Sequence, residues 1–289
     1  MRWHMKLLVE CSQKESLYLD SVDGIILPLE GFSVESVCYF SIDEIREICK
    51  KYSSNVFIKI NKNFMNEEIE PLKSILKELD FLKVAGIFFY DLAVLELVRE
   101  LKLNVSLIWN QTHMVNNYKT CDYYYSKGVK YALLGKEITL EEIHEILDKS
   151  SIQVMVEVVS RPSVAFSKRS LVTNYYKDLG KRGSSEIIVK EKMTDMNYHL
   201  IENKDGTSFF LDLVTNGTGI LHDLYLWNTP FVIMREYGLE DCFLELVKDT
   251  KKYIEGECKD SSYIEKYKKL GDYTNFFFKK TIYKVKKNG

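Results

Sequence analysis

Apolar residues in this chain recur with two alternating periods. Short runs rich in β-branched and aromatic residues fall at Lys6–Glu10, Gly24–Leu29, Val56–Ile60, Gly86–Tyr90, Val105–Trp109, Tyr131–Leu134, Ile152–Val159 and Phe231–Met234. Near-continuous apolar runs of this length mark parallel strands covered on both faces. Between them, helical spacing appears at Ile42–Lys51, Glu67–Leu79, Ala93–Leu101, Asn117–Lys127 and Leu140–Leu147. Ser41 with Glu44, and Thr139 with Glu142, have capping-box spacing at two of these starts. Strand follows strand at about 20–30 residues through the first seven, the period of repeated βα units. Eight such strands predict an α/β fold, a TIM-like (β/α)8 barrel. An open doubly wound sheet is the alternative.

The regular pattern fails between Arg161 and Asn228, a stretch far longer than an ordinary βα loop. It holds strand-like pieces of its own at Glu186–Lys190, Tyr198–Glu202 and Ser208–Leu213, with Asp205-Gly206 in hairpin position between the last two. A helix is expected near Gly219–Leu226. The organisation predicted is a barrel core at 1–160 and 229–256, a β-rich insertion at 161–228 between strands seven and eight and over the barrel mouth, and a C-terminal extension at 257–289. Leu239–Glu255 reads as a helix. The alternation at Ile282–Lys286, among lysines and aromatics, reads as a lysine-protected edge strand or a nucleic-acid contact.

Composition narrows the class without naming an activity. With 289 residues, 46% hydrophobic and 28% charged, the chain has ordinary globular composition and suits one large α/β barrel or two smaller domains. A net charge of −2 argues against non-specific nucleic-acid binding as its main business, while leaving room for a local basic patch. The apolar stretch before Cys11 is too short for a signal peptide, and none is long enough to span a membrane, so a cytoplasmic location is expected. The six cysteines form no Cys-x-x-Cys pair and read as reduced thiols.

On a barrel, chemistry sits at the C-terminal ends of strands. Those ends carry Glu10, Lys59 or Asn61, Tyr90-Asp91, Asn110-Gln111 with His113, Lys136-Glu137, Glu157 and Arg235-Glu236. Their convergence predicts a polar pocket. Glu157, alone in the apolar run Ile152–Val159, needs a cationic partner whatever its role, and Arg161 and Arg169 are the candidates. His113 and His222 lack metal-ligand spacing, and no P-loop, dinucleotide fingerprint or Gly-x-Ser-x-Gly element is present. Gly217-Thr218-Gly219 is a candidate phosphate contact at a helix start.

Residues 157–175 carry a family resemblance. Glu157, Ser167, Arg169, Asn174 and Tyr175 fit the frame of a signature that resembles peptidase family U32, the collagenase-like proteins. Trp109-Asn110-Gln111-Thr112 is similar to that family's Ser-x-Gln strand end, and Arg235-Glu236 to its closing strand. The resemblance implies the same barrel core. Family members that modify RNA or assist quinone hydroxylation hold an iron–sulfur cluster on four cysteines. Here those positions fall on or next to Ser163, on Ser170 and Ser185, and close to Val189. A hydroxyl does not replace a thiolate as cluster ligand, so no cofactor is expected.

The function expected on this basis is hydrolysis of a peptide or protein, with Glu157 as general acid or base. Arg235 and Arg169 would anchor anionic groups, and Lys59, Asn110, Gln111 and Glu236 would line the substrate site. The alternatives are a role in RNA modification, with nucleic acid as partner, and a non-catalytic barrel binding a small acid or a partner protein. If Glu157 is functional, Glu157→Gln is expected to cost little stability.

Overall fold

The computed structural model describes residues 5–271, apart from residues 16, 19, 53, 54, 112, 113, 194, 195, 258 and 259. Eight parallel strands form its centre: β1 (Lys6–Glu10), β2 (Gly24–Pro28), β3 (Val56–Ile60), β4 (Gly86–Phe89), β5 (Leu107–Trp109), β6 (Tyr131–Leu133), β7 (Gln153–Ser160) and, last in the chain, β13 (Phe231–Arg235). Each pairs with the next, β7 pairs with β13, and β13 returns to β1 with Lys6 opposite Phe231 and Glu10 opposite Arg235. That last pairing closes the sheet and excludes the open doubly wound alternative. Closure leaves no free edge in the core sheet.

Helices α1 (Ile42–Tyr52), α2 (Ile69–Phe81), α3 (Leu92–Glu100), α4 (Tyr118–Ser126) and α5 (Leu140–Lys149) lie between successive strands. Both predicted capping boxes form, with Glu44 accepting from the Ser41 N–H and Glu142 from the Thr139 N–H, each at 2.8 Å. Strand alternation sorts the core into two parts. Leu8, Ile26, Phe57, Phe88, Ile108, Leu133, Met155, Phe231 and Ile233 fill the barrel interior, and the opposite parity packs against the helices. Fully burying each such side chain stabilises the fold by roughly 1.5–3 kcal/mol. Among the described residues no helix is long and apolar enough to cross a membrane.

Between β7 and β13 stands the insertion. It contains a four-stranded antiparallel sheet in the order β8 (Ser163–Ser167), β11 (Gly206–Leu211), β10 (Asn197–Asn203), β9 (Glu186–Lys190), with α6 (Leu171–Asp178) packed on it. The short strand β12 (Thr215–Asn216) then pairs antiparallel with the end of β7, and α7 (Leu221–Leu226) leads into β13. Sequence periodicity leaves β8 and α6 unmarked, reading them as a polar loop; the polar run Ser167–Ser170 stands between them, and they pack against β11 and β10. The hairpin turn sits at Lys204-Asp205, with Gly206 opening β11 at φ +142°. A Cβ on Gly206 would lie 2.1 Å from the Ser167 carbonyl oxygen, so the close pairing of β8 and β11 requires glycine there.

After β13 the chain turns through Leu239–Cys242 before α8 (Phe243–Ile254), which starts later than the periodicity suggests, and α9 (Asp260–Tyr267) follows. The lysine-rich stretch at 276–287 lies outside the described residues.

Candidate functional site

The alternation that puts Leu8, Phe57, Ile108, Met155 and Ile233 inside the barrel places Glu10, Lys59, Asn110, Glu157 and Arg235 inside as well, two residues further along each strand. One layer of the interior is therefore polar, and it is the layer at the mouth. Glu10, Lys59, Asn110 and Glu157 are buried, and the Arg235 side chain is 13% exposed.

These groups form an alternating ladder of charge. The Lys136 Nζ lies 3.0 Å from Glu157 Oε1, and Arg235 Nε donates to Glu157 Oε2 at 2.6 Å. Arg235 Nη1 donates in turn to Glu10, and Lys59 Nζ stands 3.3 Å from Glu10 Oε1. Hydroxyls complete it: Ser160 donates to Glu157, Ser36 Oγ donates to Glu10 at 2.7 Å, and Lys59 donates to Ser36 Oγ at 2.7 Å. Three cations alternate with two anions, so each buried charge has an opposite neighbour.

The ladder sets the protonation states. Burial works to raise the Glu157 carboxyl, but Arg235 and then Lys136 outweigh it and hold it far below the usual carboxylate range. Burial acts likewise on Glu10, where Arg235 and then Lys59 keep the carboxyl below its ordinary value. Lys59 is the exception: burial, opposed by Glu10, pushes its ammonium down to about 8. A carboxylate held as firmly ionised as Glu157 suits the anchoring of cations and is a poor carrier of protons near neutral pH.

The insertion roofs this layer. Ser163 and Phe210 come down from it to line a cleft with Glu10, Glu35, Lys136 and Arg235. A second cleft reaches past Ser163 to Lys59, Asn61 and Asn110. Each has a free volume of about 20 Å³, room for a water or two. The Ser163 hydroxyl is buried and makes no hydrogen bond among the described residues. The roof is tied down by Lys62 to Asp205 at 3.0 Å and by the Glu35 N–H to Ser208 Oγ at 3.3 Å. Arg161, at the hinge between β7 and β8, reaches Asp212 at 3.2 Å, and Asp212 also pairs with His199 at 2.7 Å.

Of the residues predicted from sequence, Glu157, Arg235, Lys59 and Asn110 meet in this layer, joined by Glu10 and Lys136 from the other strand ends. Three do not. Gln111 has the opposite parity, and its Nε2 donates to the Tyr90 carbonyl at 2.8 Å, tying two strand ends together. Glu236 is buried on the outer side, where it accepts from the Ser12 N–H at 2.6 Å and from Tyr18. Arg169 is exposed on the insertion, away from the residues that line the clefts. The partners of Glu157 are Arg235 and Lys136 in place of Arg161 or Arg169; Arg161 is drawn instead to Asp212. Ser163 is marked in the sequence only as on or next to one of the family's cluster positions; its place in the cleft depends on the insertion folding back. His113 lies outside the described residues.

The donor set does not fit a thiolate-held cluster. Ser163 is buried at the mouth, Ser170 and Ser185 are exposed, and Val189 sits on β9. Among the described residues no group of three or more His, Cys, Asp and Glu side chains gathers to hold a metal. His199 does not complete a hydrolytic triad, since its ring contacts are Asp212, Arg161 and Tyr237 and none is a nucleophile of that kind.

Comparison with known proteins places this architecture. The chain is 27% identical to the tRNA hydroxylation protein P2 of Bacillus subtilis (strain 168) over 82% of its own length and 84% of that protein. It is 27% identical to tRNA hydroxylation protein P1 of the same organism over 47% of its length, which is 33% of the longer protein. Among solved structures, that of the U32 peptidase Mk0906 superposes with a TM-score of 0.51 at 14% identity, covering 80% of this chain and 92% of that one. The sequence model for peptidase family U32 matches residues 13–270, nearly the whole described barrel with its insertion, and the chain belongs to that family.

Proposed function

We propose that this protein takes part in the hydroxylation of tRNA, holding RNA at the mouth of its barrel and leaving the redox step to another component. The observation that carries this reading is the correspondence with tRNA hydroxylation protein P2, which covers 82% of this chain and 84% of that protein. Hydroxylation turns a C–H bond into C–OH, a two-electron oxidation that needs an oxidant and, in the cluster-bearing members of the family, goes with an iron–sulfur cluster. The serines and valine at the cluster positions of this chain cannot ligate one as thiolates do, which supports a binding role.

The chemistry of the mouth supports the same division. Asn110, Ser163, Lys136 and Arg235 offer donors there, around a ladder of three cations and two anions, and Glu35 offers an acceptor that brings the acidic side chains to three. A mixed, charge-balanced lining suits the polar edge of a base extruded from RNA better than a string of phosphates. A base is larger than either cleft, so its admission requires the Ser163–Phe210 side of the insertion to lift. Peptide hydrolysis has weaker support: Glu157 is committed to two cations, and the Ser36 hydroxyl, beside Lys59 Nζ at 2.7 Å, is buried and donates to Glu10.

The test is complementation. A Bacillus subtilis strain lacking tRNA hydroxylation protein P2 is given this chain, and its tRNA is digested to nucleosides for mass spectrometry. Return of the nucleoside heavier by one oxygen atom is expected. Its absence, with the protein expressed and folded, overturns the proposal.

A further inference from the structure

The charge of this chain is unevenly spread. Residues 168–192 carry seven basic side chains against three acidic ones, net +4, which leaves −6 for the rest of a chain whose total is −2. This stretch is the outer part of the insertion: α6, the turn after it, and β9, the edge of the four-stranded sheet. All seven basic residues are exposed. Tyr175 is exposed among them at 51%, Leu179 at 49% and Ile188 at 61%.

The ridge is held in a defined shape. The Glu202 carboxylate accepts from the Val172 N–H at 2.8 Å and the Thr173 N–H at 3.2 Å, fixing the start of α6. At its end the Lys181 N–H donates to the Tyr176 carbonyl at 2.9 Å, and the turn closes so tightly that a Cβ on Gly183 would meet the Tyr176 ring at 2.2 Å. Cations at a helix C-terminus and on an edge strand have a structural use, favouring the dipole and blocking edge-to-edge pairing. That use does not account for an exposed isoleucine on the same edge strand or an exposed tyrosine beside the cations. Basic groups interleaved with aromatic and apolar ones are what RNA binding calls for, the former for phosphates and the latter for bases.

We propose that this ridge, centred on Lys177, Lys181, Arg182 and Lys190, is the surface on which the protein docks the phosphate backbone of tRNA, with Tyr175 as a stacking contact. The inference rests on the tRNA reading above and specifies its surface. Outside this stretch the chain is net −6, with the lysine-rich residues 276–287 as a second basic segment. The ridge belongs to the same sheet whose β8 supplies Ser163 to the mouth, with β9 at the edge opposite β8.

The experiment is binding of total tRNA to the full chain by fluorescence anisotropy across a salt series, with K181E/R182E and the milder K181Q/R182Q as variants. Wild type is expected to bind with strong salt dependence. Each charge neutralised in K181Q/R182Q should lower the log–log salt slope by about 1, and K181E/R182E should weaken binding at least about tenfold, with the thermal midpoint unchanged. As controls, K119E/K127E on the barrel wall should bind as wild type, and so should K279E/K280E. Undiminished binding by both ridge variants overturns the ridge proposal alone, as does loss of binding in K119E/K127E or K279E/K280E only. If wild type restores the hydroxylated nucleoside in cells yet does not bind tRNA by itself, the tRNA reading stands and the ridge proposal falls, leaving a protein partner as its occupant. Failure of complementation with ridge-dependent tRNA binding intact sinks the hydroxylation reading and leaves the ridge standing.

Discussion

Replacing Glu157 by glutamine tests the central feature of the mouth. The amide keeps the shape of the side chain, and its carbonyl oxygen still accepts from Ser160 or Arg235. The charge is what is lost, leaving Lys136, Arg235 and Lys59 with Glu10 as the only carboxylate of the ladder. Removing one member of a buried pair costs roughly 3–5 kcal/mol. Lys136, whose side chain is 19% exposed, swings toward water and relieves part of that, so the cost expected is about 3 kcal/mol. At about 2–4 °C per kcal/mol for a chain of this size, the thermal midpoint falls by about 6–12 °C at neutral pH. Sequence alone argued for a small change, on the view that a functional carboxylate is held at some cost to stability; two cations on Glu157 reverse that expectation. The carboxyl is depressed below its ordinary 4.5 in the fold. Its contribution is therefore complete above that value and is lost as pH falls through the folded-state pKa. Circular dichroism melts of wild type and variant, repeated at decreasing pH, should show the gap narrowing below about pH 4.5. A midpoint change under about 2 °C at neutral pH, or a gap indifferent to acid, refutes the ladder as a stabilising unit.

Lys59, pushed down to about 8 by burial from its ordinary 10.5, binds fewer protons folded than unfolded between those values, so it adds stability as pH rises through them. In urea titrations the stability of wild type relative to Lys59→Met should improve by up to about 3 kcal/mol between pH 7.5 and 10; an unchanged or falling difference contradicts the assignment. Asn110→Ala should cost less than about 1 kcal/mol, as for a side chain that faces an opening, yet lower hydroxylated nucleoside at least about tenfold in the complemented strain; full activity removes Asn110 from the site. Gly206→Ala forces a Cβ against the Ser167 carbonyl at a positive φ and should destabilise the protein by roughly 2–4 kcal/mol. Limited proteolysis should then cut first within 161–213, and cleavage elsewhere first would show that the hairpin does not hold the insertion together.

Much of this architecture was legible in the chain itself. Eight apolar runs bounded by capped helices specify parallel strands, because buried strands and amphipathic helices impose different periods on the same residues. The strand-end reading also named every member of the charge ladder, since charged groups closing apolar strands are rare without a use. Parity along the strands separates Arg235 from Glu236 and Asn110 from Gln111, but which parity faces inward is known only once the strands are placed in a barrel. The partners of Glu157 were beyond sequence for a different reason. Arg161 is four residues away along the chain, while Arg235 is brought beside Glu157 by a parallel pairing of β7 with β13 across 78 residues. Side chains choose neighbours by distance in space, and closure of the barrel sets that distance. The insertion shows the same limit: β8 and α6 are separated by the polar run Ser167–Ser170 and pack against β10 and β11, which come later in the chain. Local periodicity is enough to specify the alternating βα framework and the polar residues at its strand ends; which of those residues meet depends on the closed barrel, because long-range pairing places them.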